Sequence, residues 1–166
     1  MKRFLFFLMV STCLSGFQNH RTDFSGRWKL DMKKSKDLPT SFKSVESYTI
    51  NVTQSLASMV LHTEMVGGGQ TVNLPPTIYK FDSSEVYRED TLRGSKRWIR
   101  SAWTTTGFKL IVTSKVVLSQ KGNEQHYVQT DVWQFGKKNT LLLLVTQEFE
   151  KNDSTHSEQR VFHRVR

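Results

Sequence analysis

The sequence predicts an all-β fold: an antiparallel up-and-down β-barrel of about ten strands, with a β-sandwich as the alternative. Three observations carry this. From Ser47 onward, apolar and polar side chains alternate with a period of two, the pattern of strands buried on one face and wet on the other. Runs rich in Gly, Asn, Asp and Ser punctuate these stretches at short intervals. After the first residues, no segment shows a convincing amphipathic helical period. So many short antiparallel strands must close or fold into two layers, because an open sheet would leave unpaired edges.

The chain begins Met1-Lys2-Arg3, continues with an apolar run from Phe4 to Val10 and then with the small residues Ser11 to Gly16. This is the pattern of a secretory signal peptide over residues 1–16, leaving one domain over residues 17–166 in the periplasm or outside the cell. The apolar run is far shorter than the ~20 residues a spanning helix needs, so no transmembrane helix is expected. The one cysteine, Cys13, falls in the leader. Two processing routes stay open: lipidation at Cys13 as a lipoprotein, or cleavage near Ser15 or Gly16. The lack of stapling cysteines favours a bacterial envelope over a disulfide-rich animal secretion. Lys and Arg number 24 against 15 Asp and Glu, for a net charge of +9. That balance suits anionic partners such as acidic head groups, envelope glycans or an acidic ligand, and also a plainly solvated basic surface.

The first strand is Phe24 to Asp31. Gly26 permits close backbone approach at a barrel end, and Trp28, with Leu30 on the same face, has the apolar area to plug it. Met32 to Glu46 is a long connection with room for one helical turn. Tyr48, Ile50 and Val52 mark the next strand, and Met59, Leu61, Thr63 and Met65 the one after. Gly67-Gly68-Gly69 reads as a flexible loop running on to Pro75-Pro76, since it lacks the Gly-Lys-Ser/Thr ending of a phosphate loop. Strands at Thr77–Asp82 and Glu85–Glu89 follow. Two units built alike, Trp103 to Thr113 and Trp133 to Thr146, each pair a Trp with a Gly-containing turn and an apolar strand, which describes a meander of hairpins. In the second unit Leu141 to Val145 is apolar without a break, so its outward side chains need cover. The last turn, Asn152-Asp153-Ser154, leads into the closing strand.

The segment Phe24-Ser25-Gly26-Arg27-Trp28-Lys29-Leu30, with the Lys/Ser-rich stretch behind it, resembles the first motif of lipocalins and related calycins, in particular the small lipocalin-like domains of exported bacterial proteins. In that family an Arg of the last strand packs over the motif Trp, and this chain ends Arg160-Val161-Phe162-His163-Arg164-Val165-Arg166. The resemblance implies a barrel in which the first and last strands pair and one of Arg160, Arg164 and Arg166 covers Trp28, with Arg164 preferred for its place near the middle of the strand. It spans only the two ends of the chain and bears on fold more than on function. Met32 to Glu46 is too short and polar for the helical lid of fatty-acid-binding proteins.

Catalytic and metal patterns are absent from the sequence. There is no Gly-x-Ser-x-Gly elbow, the five His are scattered, and Glu148 with Glu150 stands near a turn where carboxylates are solvated. A catalytic reading would need His62 or His126 beside a carboxylate such as Glu64 or Asp131. Lys96-Arg97-Trp98-Ile99-Arg100 mixes cations with an aromatic, but an exported protein does not meet nucleic acid. The aromatic supply, 11 Phe, 4 Trp and 4 Tyr, is ample for a barrel interior. With the calycin resemblance, it gives the expectation of a cofactor-free, non-enzymatic carrier of a small hydrophobic or amphipathic ligand, with an anionic head group in view of the charge. The candidate lining is Tyr48, Ile50, Met59, Leu61, Tyr79, Phe81, Trp98, Arg100, Tyr127 and Trp133, with Arg100 for the head group. The alternative is an envelope interaction module on a solid barrel, anchored through Cys13.

Overall fold

The computed structural model describes residues 21–90, 94–120 and 123–165, so the expected leader and the Cys13 alternatives lie outside the described residues. Ten strands form one antiparallel sheet: β1 (Gly26–Leu30), β2 (Ser47–Gln54), β3 (Ser58–Gly67), β4 (Gln70–Lys80), β5 (Val86–Asp90), β6 (Ser95–Trp103), β7 (Leu110–Gln120), β8 (Asn123–Phe135), β9 (Leu141–Phe149) and β10 (Ser154–Val165). Their order is β4-β3-β2-β1-β10-β9-β8-β7-β6-β5. Every ladder joins chain neighbours except β1 with β10, where Arg27 to Leu30 pairs with Phe162 to Val165. The single sheet curls until its edge strands meet, giving a nearly closed barrel.

The seam lies between β4 and β5, which share no backbone ladder. Side chains cross it instead: Ser101 Oγ donates to Lys80 O at 2.6 Å, Arg88 Nη2 to Pro75 O at 2.9 Å, and Arg88 Nη1 to Thr77 Oγ1. This corrects the expected long loop to Pro75-Pro76. Gly68 and Gly69, at φ +58° and +72°, make a two-residue turn, and β4 starts at once at Gln70. The prolines sit inside a strand because β4 is an edge and because the β3–β4 register shifts between Leu61 and Thr63, leaving Pro75 and Pro76 without ladder partners.

One end of the barrel is filled with aromatic rings. Trp28 is 1% exposed and donates its Nε1–H to Phe24 O at 2.9 Å. The Arg164 guanidinium lies 4.8 Å from the centroid of the Trp28 ring and donates to Ser25 O at 2.8 Å. Gly26, at φ +141°, lies so close that a Cβ there would stand 3.2 Å from Arg164 Nη2. Phe24 stacks on Trp103 at 5.7 Å and touches Trp133 and Phe135. These rings form the base.

On β9, Leu141, Leu143 and Val145 point into the core and are buried. Of the outward pair, Leu142 packs against Gly136 of the preceding hairpin, where a Cβ would come within 2.9 Å of its Cδ1. Leu144 stays 36% exposed, in register with Val132 and, through it, Ile111. The cover expected for this run is therefore supplied by the chain's own hairpin for only half of it.

Candidate binding cavity

Above the aromatic base the barrel is hollow. A cavity of about 1100 Å³ occupies the interior and opens at the far end, below the 3₁₀ turn Thr40–Ser44 that the long β1–β2 connection lays across the mouth. The turn is held by Phe42, whose ring lies 5.2 Å from the Arg160 guanidinium and 5.5 Å from the Tyr48 ring. Gly67 lets it settle: a Cβ there would come within 2.5 Å of Ser44 O.

Of the predicted lining, Tyr48, Ile50, Leu61, Tyr79, Tyr127 and Trp133 border the cavity. Met59 is fully buried in the core below it, and Phe81 borders a separate small pocket near Arg21 and Trp103. Trp98 and Arg100 do not border the cavity. On β6 the inward parity belongs to Ser95, Arg97, Ile99 and Ser101, so Trp98 packs outside against Tyr87 at 5.4 Å and Arg100 pairs with Glu85 at 3.1 Å. The cation that β6 turns inward is Arg97.

The wall carries a polar belt that pattern reading did not assemble. Register sets it: Asp131 on β8 and Glu158 on β10 both pair with Val145 on β9, so two acids flank one apolar residue. Gln147 Nε2 donates to Gln129 Oε1 at 3.1 Å, and Gln129 Nε2 to Asp131 Oδ1 at 2.8 Å, a relay that fixes Asp131 as an acceptor. Arg160 Nη2 donates to Glu158 Oε1, whose side chain is only 2% exposed. Trp133 Nε1, Arg160 Nε and Glu158 Oε2 are buried without a hydrogen-bond partner among the described residues.

Electrostatics follow from this placement. Burial pushes the Asp131 carboxyl up to about 6; the Gln129 hydrogen bond and the Arg160 and Arg97 charges oppose the rise, and Glu158 adds to it. Burial, with the neighbouring Asp131 charge, also holds the Tyr79 phenol well above its ordinary range, and burial raises Tyr127. Both phenols are therefore hydrogen-bond donors at neutral pH. Among the described residues no hydrogen bond engages either hydroxyl, and no hydrogen bond or ion pair engages Arg97.

The histidines stand apart from this belt. His126 lies on the outward parity of β8, 3.5 Å from Glu124, while Asp131 points inward. His62 is exposed and paired in register with Asn51. Neither approaches Asp131 or Glu64 in the described hydrogen bonds and ion pairs. Among the described residues no group of His, Cys, Asp and Glu could hold a metal, and no helix is long and apolar enough to cross a membrane. No protein-family model matches the chain, and a search of curated proteins finds no match.

Proposed function

We propose that the barrel binds a small amphipathic molecule, its apolar part among Ile50, Leu61, Ile99 and Leu143 and its anionic head on Arg97. One observation carries the reading: a cation without a protein partner among the described residues, bordering a cavity of about 1100 Å³ together with two unengaged phenol hydroxyls. That volume is slightly above the usual range of small-molecule sites, about 300–1,000 Å³, whose few polar groups orient a mostly apolar ligand. The Phe24-to-Leu30 motif and its partner Arg164 support the same reading by their likeness to calycins, whose barrels enclose ligands.

The test is displacement of the fluorescent anion 1-anilinonaphthalene-8-sulfonate by dodecanoate and by dodecanol. A charge-assisted hydrogen bond contributes about 1.5–3 kcal/mol, so Arg97→Ala should weaken dodecanoate by roughly tenfold or more and dodecanol hardly at all. Arg100→Ala should change neither by more than about twofold, being outside the cavity. Equal effects of the two substitutions on dodecanoate, or no saturable binding, would refute the proposal.

A further inference from the structure

The closed end of the barrel carries features that ligand binding does not use. Strand direction brings the β2–β3, β4–β5, β6–β7 and β8–β9 turns to this end, together with the segment preceding β1. Two of the turns hold up apolar side chains. Leu56 at the tip of the β2–β3 turn is 92% exposed, and Phe108 in the β6–β7 turn is 66% exposed. Singly exposed apolar side chains are ordinary, but these two are the most exposed of the large hydrophobic residues described, and both stand at the same end of the barrel.

Both tips are held in place. Ser55 clamps the first turn, its N–H donating to Ser58 O at 2.8 Å and its Oγ accepting from Ala57 N at 3.2 Å. Gly107, at φ +72°, and the Thr104 N–H donating to Lys109 O at 2.9 Å shape the second. The amino-terminal segment ties the two together: Arg21 Nη1 donates to Leu56 O at 3.0 Å, and Thr22 N–H to Gly107 O at 3.0 Å. The tips thus stand on a braced platform and present a fixed spacing to whatever they meet.

The charges around them are mostly of one sign. Lys109 follows Phe108, Lys137 and Lys138 form the exposed β8–β9 turn, and Arg21 and Arg164 complete the set. Against them stand Asp23 and Asp82, each already accepting hydrogen bonds from its own turn, at Ser25 and Ser84 respectively, and Glu85, which is paired with Arg100. Residues 1–20, which carry the apolar run from Phe4 to Val10, precede Arg21 at this same end.

We infer that the closed end docks on an anionic phospholipid surface, with Leu56 and Phe108 entering the head-group layer and Lys109, Lys137 and Lys138 meeting the phosphates. Apolar tips ringed by lysines satisfy both halves of an interfacial site, burial of hydrocarbon and attraction to acidic lipid. The geometry leaves the cavity mouth, at the opposite end, facing away from the bilayer.

The experiment is sedimentation of the full chain with vesicles of phosphatidylcholine alone or with three-tenths phosphatidylglycerol. The parent should partition strongly onto the anionic vesicles and weakly onto the neutral ones. Each lysine near such a surface contributes about a fivefold factor, so Lys109→Gln, Lys137→Gln and Lys138→Gln together should lower partitioning on the order of a hundredfold. Leu56→Ser with Phe108→Ser should lower it about tenfold or more. The same number of lysines removed around the mouth, Lys33→Gln, Lys36→Gln and Lys43→Gln, should change it by less than about threefold, which separates a docking face from general basic charge. All three sets are on the surface, and an unchanged near-ultraviolet circular dichroism spectrum verifies their folds. A parent that ignores acidic lipid, base variants that partition like the parent, or mouth variants that lose as much as base variants would each overturn the inference.

Discussion

Asp131→Asn isolates the cost of keeping a carboxyl inside this barrel. The side chain is 7% exposed, and its carboxyl is pushed from the ordinary 3.8 up to about 6, chiefly by burial. Below about pH 4 the acid is protonated in both folded and unfolded chains and contributes no difference. Between about 4 and 6 the unfolded chain gives up its proton first, so the folded state loses stability as pH rises, and above about 6 the loss is complete. Two pH units at about 1.36 kcal/mol each make this roughly 3 kcal/mol. Asn keeps the shape and still accepts from Gln129 Nε2, but it does not titrate. The stability of the variant minus that of the parent should therefore climb by about 3 kcal/mol from pH 3.5 to pH 7.5. Urea unfolding at each pH measures it, and taking the difference cancels the titration of every other group the two proteins share. A difference that stays flat would refute the placement of Asp131 in a desolvated wall. One that falls with pH would mean that Arg160 and Arg97 outweigh burial and hold the acid as an ion.

The same carboxyl should tune binding: protonation removes a negative charge that interacts with Arg97 across the cavity wall, so the affinity for an alkyl sulfonate, which stays ionised, should rise severalfold from pH 7.5 to pH 5, and Asp131→Asn should abolish that dependence. Trp28→Ala removes a buried ring and should cost about 3–5 kcal/mol in urea, whereas Arg164→Ala, exposed on the outer side of the ring, should cost about 1 kcal/mol. The double variant should fall short of their sum by about 0.5 kcal/mol or more; strict additivity would deny the contact. Gly67→Ala drives a methyl onto Ser44 O and should cost about 1–3 kcal/mol, with faster amide exchange in residues 40–46 as the sign that the mouth turn has been lifted. Arg88→Ala should speed amide exchange along β4 and β5 and leave β8 and β9 untouched; uniform acceleration would show that the side chain does not fasten the seam.

Periodicity exposed the strands because most of them are buried on one face only, and Tyr48, Ile50 and Val52 show the alternation directly. It failed at β4, where two prolines imitate a loop unless the strand is known to be an edge. It also misplaced β6. The inward positions there hold Ser95, Arg97 and Ser101, which look like a wet face, while Trp98 sits outside and looks like core. The polar belt hid for the same reason. Gln129 and Asp131 share parity with Tyr127 and Trp133, so extending that face between the two aromatics leads to them. Arg160 borders the cavity and Glu158 is buried beside it, and only the register with β9 brings them level with Asp131, which no single strand encodes. The ends of the chain were more legible: the Gly-x-Trp motif at one end and an Arg-rich strand at the other point to an Arg over Trp28, and the strand register singles out Arg164, which also reaches Ser25 O, 139 residues away in sequence.

The position of the seam bears on how the chain can be rearranged. β1 and β10 are joined by a ladder although they lie at opposite ends of the sequence, while β4 and β5, consecutive in sequence, are not. A circular permutant cut in the turn at residues 82–85, with the carboxyl end of β10 linked to the segment before β1, would run β5 to β10 and then β1 to β4. Every ladder would then join consecutive strands, the β1–β10 closure would shrink to the length of the linker, and only the side-chain contacts across the seam would span the chain. Since closing a loop costs about (3/2)RT ln n, the order of 4 kcal/mol of chain entropy for a loop of roughly 140 residues would fall away, and the permutant should fold faster than the natural order. The molecule is in this sense a single ten-strand meander whose covalent break and whose unpaired edge fall at different places on the ring.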